Sequence, residues 1–219
     1  MNFPWPGQAL FKGVYYEPDA LPWFYLPKLI GIQSTEPLVL LSIVGLVLLL
    51  VQVLRKRVRI DLLYFVGVWF LAPVAAAAIT RPDLYDNFRQ LHFILPPLFL
   101  LAGLTIEKLG GWLKHPVFRI ILLVLILAPG ILGMAQLHPY EYIYYNSLVG
   151  GTPGAFRQYE TDYWGISFRD AMGYINQHVP EGSRVVVWGP VTSAWAYARP
   201  DLEVVSNEEP GVEQGTFFA

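Results

Sequence analysis

Four long apolar segments constrain this chain more than anything else in it. They lie at 37–54, 60–79, 93–106 (with a start near Phe88) and 117–137. At 1.5 Å of rise per residue, about 20 residues cross a hydrocarbon core of about 30 Å, and each segment is about that long once its interfacial ends are included. Backbone amides find no water in lipid, so spans of this kind are helices. The sequence therefore predicts a mainly α membrane protein, with about four transmembrane helices in a region 37–137.

The rest of the composition narrows the function classes. Charged residues make up 15% of the 219 residues, where a soluble domain carries about 25%. A formal net charge of −2 leaves no basic footprint for nucleic acid. Without cysteine, the chain has no disulfides, thiolate metal sites or thiol nucleophiles. His92, His115, His138 and His178 have no metal-ligand spacing, so no metal is expected, and the residues identify no other cofactor. Residues 1–27 contain neither a basic stretch nor an apolar run of signal-peptide type. The spans hold almost no ionisable residue at mid-depth, which counts against a transporter.

The charges between the spans set a direction. Arg55, Lys56, Arg57 and Arg59 follow the first span, and Lys108, Lys114 and Arg119 lie between the third and fourth. On the opposite side, Arg81 and Arg89 are offset by Asp83 and Asp86. The positive-inside rule puts the strongly basic loops in the cytoplasm. A multi-pass protein of the cell (plasma) membrane with both termini extracytoplasmic follows.

Three regions are expected. Residues 1–36 read as an extracytoplasmic aromatic loop followed by an interfacial helix at 26–33. Trp5, Tyr15, Tyr16, Trp23, Phe24 and Tyr25 suit the headgroup layer, and Ser34 or Thr35 can cap the next helix ahead of Pro37. The four-helix region 37–137 comes next. Residues 138–219 form an extracytoplasmic α/β tail: helix 167–178, strand 184–188, helix 192–198 and strand 202–205, with a third strand expected after 208. Two strands in about 80 residues make a thin domain, so a truncated tail is expected. The Gly-rich stretch 150–154 reads as a turn, since it does not join a strand to a helix.

Two polar clusters are candidate sites. Arg89 and His92, three residues apart at the membrane edge and close to Arg81, can hold the phosphate of a lipid-linked donor; a guanidinium does so with two parallel bonds. The structural alternative is an interfacial Arg89 paired with Asp86. In the second cluster, Asp162 can orient a sugar hydroxyl and Trp164 can stack on the ring, with Tyr163 beside them as a further weak candidate for acceptor or sugar contact. The alternative there is that Asp162 caps the following helix and the aromatics dock the tail. Lys12, Glu17, Asp19 and Lys28 are weaker candidates for ligand contact on the same outer side.

Several stretches resemble a known group. PWPGQALFKGVYY with LPWFYLPKLIGIQSTEP resembles the middle outer loop and following helix of bacterial GT-C glycosyltransferases, the protein O-mannosyltransferase-like and aminoarabinose-transferase-like families. RQLHFILPPLFLLAG resembles a helix of those enzymes, and HPYEYIYYNSLVGG followed by DYWG resembles their junction and tail. The resemblance covers most of residues 1–207. It implies an inverting enzyme that moves a sugar from a polyprenyl-phosphate carrier to an unknown acceptor on the outer face. It implies Arg81, Arg89 and His92 as carrier-phosphate contacts. It further implies a C-terminal portion, inactive alone, whose catalytic acidic loop lies in a missing N-terminal half or partner subunit. No catalytic residue is assigned. The competing expectation is a non-enzymatic membrane scaffold or sensor whose outer domain binds a partner.

Overall fold

A computed structural model of the chain describes residues 7–84 and 86–209. Trp5, and the stretch beyond Glu209 where most of a third strand is expected, lie outside the described residues. The fold is mainly helical, with two small sheets. It divides into two compact units, 1–161 and 162–219. Residues 138–161, read from sequence as the start of the tail, pack within the first unit.

The first unit opens with a hairpin of β1 (Ala9–Phe11) and β2 (Val14–Tyr16), paired antiparallel. The sequence reading has a loop here, because three-residue strands are too short to display a period. Helix α1 (Tyr25–Gln33) follows, then α2 (Glu36–Leu54), which opens with Glu36 and Pro37 as its first turn. Thr35 occupies the cap position through its backbone, but its side chain makes no cap hydrogen bond. Next come α3 (Ile60–Thr80), α4 (Pro96–Trp112) and α5 (Pro116–Leu137). A short helix α6 (Gly151–Ala155) forms where the Gly-rich stretch reads as a turn, with Gly150 left-handed at its start.

Helices α2, α3 and α5 are long and apolar enough to cross a membrane, which makes this a membrane protein. The third expected segment is built differently. Residues Arg89–Ile94 form a 3-10 helix, irregular at Leu91, and the α-helix starts only at Pro96. Pro96 and Pro97 have no N–H to give to the preceding turn, so the chain restarts there, where their fixed φ suits a first helical turn.

Helix α4 packs most closely on α2. A Cβ on Gly45 would lie 2.0 Å from the Leu101 carbonyl oxygen, so the backbones touch. Ser42 Oγ donates to Leu98 O at 2.8 Å, and Thr105 Oγ1 to Leu41 O at 2.8 Å. Close approach at small residues, with hydroxyl bonds across the seam, is how helices associate where the surroundings are as apolar as the side chains. By contrast, α5 leaves Phe118, Ile120, Val124, Leu125 and Leu132 exposed.

The main core of this unit lies beyond the spans. Phe11, Tyr25, Leu29, Ile32, Leu84, Phe88, Ile94, Tyr145 and Tyr159 bury together. These residues come from the hairpin, α1, the α3–α4 loop and the segment after α5, so one capping layer gathers parts of the whole unit. Tyr25, assigned to the headgroup layer on sequence, is a core residue at 2% exposure. The Phe11 ring meets those of Tyr25 and Tyr159 edge-on, with centroids 5.0 and 5.7 Å away.

The second unit holds α7 (Phe168–His178), β3 (Arg184–Val187), α8 (Val191–Trp195) and β4 (Glu203–Ser206). Strands β3 and β4 pair parallel, Val185 opposite Val204, with α8 as the crossover. Met172, Val187, Ala194 and Val204 form its core. The helix–strand–helix–strand order is the one the sequence predicts.

Candidate functional site

Arg81, Asp86 and Asn87 all have positive φ, at 46°, 53° and 62°. Arg81 ends α3 in this left-handed conformation. Asn and Asp adopt it more readily than other side chains, which is why the tight turn after α3 can form at Asp86-Asn87. The turn is buried, so its polar groups need partners.

Glu160 and Tyr145 supply them. Asn87 N donates to Glu160 Oε2 at 2.9 Å, and Asn87 Nδ2 donates to Glu160 O at 3.3 Å. Tyr145 Oη lies 2.7 Å from Glu160 O and 3.2 Å from Asn87 Oδ1. Tyr25 Oη reaches Asn87 O at 3.2 Å. Burial pushes the Glu160 carboxyl up to about 7; N–H bonds from Asn87, Leu10 and Asp86 oppose the shift, and the Asp86 charge adds to it. The Asp86 carboxyl is also raised, by burial, with Arg89 pulling it back. Burial drives the Tyr25 hydroxyl far above its ordinary range.

The candidate phosphate residues sit around this turn without forming one cluster. Arg89 Nη2 is 2.8 Å from Asp86 Oδ2, with 29% of its side chain exposed. The paired arrangement weighed on sequence is therefore present. His92, exposed, sets its ring edge-on to Phe88 with centroids 5.2 Å apart. Arg81 lines a separate cleft with Trp23, Tyr25, Leu26, Val74, Ala77 and Ala78. That cleft encloses about 20 Å³, which is room for one water. Among the weaker candidates, Lys12 lies over the Phe24 ring at 5.9 Å, and Glu17 accepts a bond from Gln8.

Asp162, Tyr163 and Trp164 fall in the second unit. Asp162 Oδ1 accepts from Ile166 N at 3.1 Å, and Oδ2 accepts from Ser167 N at 3.0 Å and from Ser167 Oγ. The carboxylate thus closes the turn that leads into α7. Trp164 is 55% exposed, its ring 6.2 Å from that of Tyr163.

Residues that the sequence reading passed over organise the layer. Asn146, 1% exposed, donates from Nδ2 to Gly31 O at 2.7 Å and to Ser34 O at 2.8 Å, and accepts from Leu148 N at 3.1 Å. It satisfies carbonyls that the end of α1 leaves open. Glu36 Oε1 accepts from Ser147 N at 2.7 Å. The available signal was the pairing of GIQSTEP with YYNSLVGG, two turn-rich stretches that prove to be bonded to each other. Among the described residues no His, Asp and Glu side chains converge as a metal site. No family model, curated protein or solved structure matches the chain.

Proposed function

We propose that the protein works as a membrane glycosyltransferase component that holds a polyprenyl-phosphate sugar at the outer ends of its helices. In this reading α2, α3, α4 and α5 all cross the membrane. The basic stretches at 55–59 and 108–119 face the cytoplasm, and the capping layer and the second unit lie outside. The observation that carries the reading is the position of Arg81. Arg81 ends the apolar helix α3 and lines a cleft together with Val74, Ala77, Ala78, Leu26 and Trp23. A cleft this narrow holds no chain inside it. An isoprenoid tail would lie along the outer face of α3, with its phosphate at Arg81. Cleavage of a sugar from such a carrier leaves charge on the phosphate, and a preorganised guanidinium stabilises it. Arg89 is already neutralised by Asp86 and contributes less; His92 offers an exposed donor beside it.

The test is binding of polyprenyl phosphate and of the uncharged polyprenol to the chain in nanodiscs. Wild type is expected to prefer the phosphate, and Arg81→Ala to lose about tenfold or more of that preference, Arg89→Ala less. Equal binding of both lipids, indifferent to Arg81, would overturn the reading. That outcome would favour the membrane scaffold or sensor, which the Asp86–Arg89 pair and the internally bonded turn also fit.

A further inference from the structure

We infer that the end of the first unit where α2 and α4 stop is a binding surface for an anionic phospholipid. The headgroup sits among Arg55, Lys56, Arg57 and Lys108, and an acyl chain lies along the first turns of α3. This surface is at the opposite end of α3 from Arg81, about 30 Å away at 1.5 Å per residue. The inference does not depend on the transferase reading.

Helices α2 and α4 run side by side in the same direction. Ser42 bonds to Leu98 and Gly45 touches Leu101, and further along Val53, Val58 and Leu104 pack against the Leu49–Val66–Leu101 cluster. Their ends therefore lie together, and so do the links that leave them. The link after α2 carries Arg55, Lys56, Arg57 and Arg59. Lys108 stands near the end of α4, and Lys114 and Arg119 follow it. All of these residues are exposed. The acids in the same stretches are Asp61, which pairs with Arg59, and Glu107.

The backbone keeps these cations at the lipid surface. Arg57 N donates to Gln52 O and Lys56 N to Val53 O, each at 2.9 Å, with Lys56 left-handed at φ 56°. This turn closes a helix on its own last carbonyls, and glycine is the residue its backbone favours. Here the position carries an ammonium group, within one turn of the end of an apolar span. On the other link, Arg119 Nε donates to Leu113 O at 2.9 Å, which ties its guanidinium back to the end of α4. Trp112, 75% exposed, marks the same level, since an amphipathic ring suits the boundary between lipid tails and headgroups.

The place for the acyl chain begins beside the cations. Ile60, Tyr64, Phe65, Val68 and Trp69 line an open apolar groove on α3, together with the Asp61 that Arg59 neutralises. Ile60 follows Arg59 directly, so a headgroup on the link leaves its chain at the groove. Short links between apolar helices hold their charges in the headgroup layer, where anionic lipid is the nearest anion. That selects a phospholipid over a free phosphate.

Spin-labelled lipids in phosphatidylcholine nanodiscs test this on the whole chain. The readout is the fraction of labelled lipid that the protein immobilises. Wild type is expected to favour phosphatidylglycerol over phosphatidylcholine by about threefold or more at low salt. High salt should bring that preference towards unity. The triple variant Arg55→Gln, Lys56→Gln, Arg57→Gln should hold the two lipids equally, within about 1.5-fold. Arg81→Gln, at the far end of α3, should keep the wild-type preference. Equal association in wild type would overturn the proposal. So would a preference that survives in the triple variant or disappears in Arg81→Gln. If the triple variant does not fold, Lys108→Gln with Lys114→Gln carries the test. The preference must then drop by about half or more, and an undiminished one would also overturn the proposal.

Discussion

The capping layer of the first unit and the clasp of the second hold loops in place with different kinds of bond. In the cap, polar side chains join segments far apart in the chain: the buried Asn146 reaches Gly31 and Ser34, and the half-buried Glu160 reaches Asn87. In the second unit the corresponding residue is Arg199. Its guanidinium takes the carbonyls of Asn176, Val179 and Pro180 at the end of α7, with Nε 2.8 Å from Asp201 Oδ1. Its partners are local, and its side chain is 23% exposed. A buried group that loses its partner keeps the whole desolvation cost, whereas water replaces part of what a partly exposed group loses. The cap is therefore the brittle region, and the second unit the forgiving one.

The largest effect should come from Asn146. Replacing it with Ala strands the Gly31 and Ser34 carbonyls and removes the acceptor of the N–H of Leu148, an exposed residue. At about 1–3 kcal/mol for each buried unsatisfied group, and with partial relaxation, the cost should be about 3–5 kcal/mol. Thermal unfolding of the purified protein, followed by circular dichroism, checks it. Asn146→Asp should be at least as damaging, since a carboxylate cannot donate to the two carbonyls. A loss below about 1 kcal/mol for either variant would erase the contrast between the two regions.

Arg199→Ala should cost less, about 1–3 kcal/mol, and the loss should be confined to the second unit. Four bonded groups lose a partner, but they lie near the surface. Arg199→Lys should recover only part of this, because a point-like ammonium cannot span three carbonyls as a planar fork does. Exchange protection along α7 provides the readout. If Arg199→Ala lowers protection in the capping layer as much as in α7, the clasp is not local and the comparison fails.

Which parts were readable from sequence follows from the range of the forces. The long helices were legible because the lipid core fixes their length and demands continuous apolar residues, and 37–54, 60–79 and 117–137 have both. The β3–α8–β4 order was legible because the Val run at 185–187 is closed off by turns at Pro180-Glu181-Gly182 and Gly189-Pro190. The hairpin at 9–16 was hidden by short strands, and the start of α4 by an apolar run that continues on both sides of Pro96-Pro97. The Asp86–Arg89 pair could be read, since three residues separate its members. Glu160 could not: it stands in a stretch rich in Tyr and turn residues with no period to mark a buried face, 73 residues from Asn87. One signal pointed towards it. An Asp-Asn turn favours left-handed backbone, and when such a turn is buried its N–H groups require an acceptor supplied from elsewhere. Whether Tyr25 faced water or core was beyond sequence altogether, because an amphipathic ring suits both.

The smallest effect should be at Asp162, and it separates a structural carboxylate from a ligand contact. Asp162 accepts bonds from Ile166 and Ser167 on the approach to α7, in partly exposed surroundings. Loss of a side-chain cap of this kind costs about 0.5–2 kcal/mol, so Asp162→Ala should fall at the low end of that range. Asp162→Asn retains one acceptor oxygen and should lose about half as much. Thermal unfolding of both variants measures the structural share. A sugar-binding role needs the carboxylate to have capacity beyond these bonds, and it predicts loss of sugar affinity in Asp162→Asn while α7 stays protected from exchange. Loss of both together, in proportion, would assign Asp162 to the turn alone and leave Trp164, half exposed beside it, as the residue to test next for stacking on a sugar.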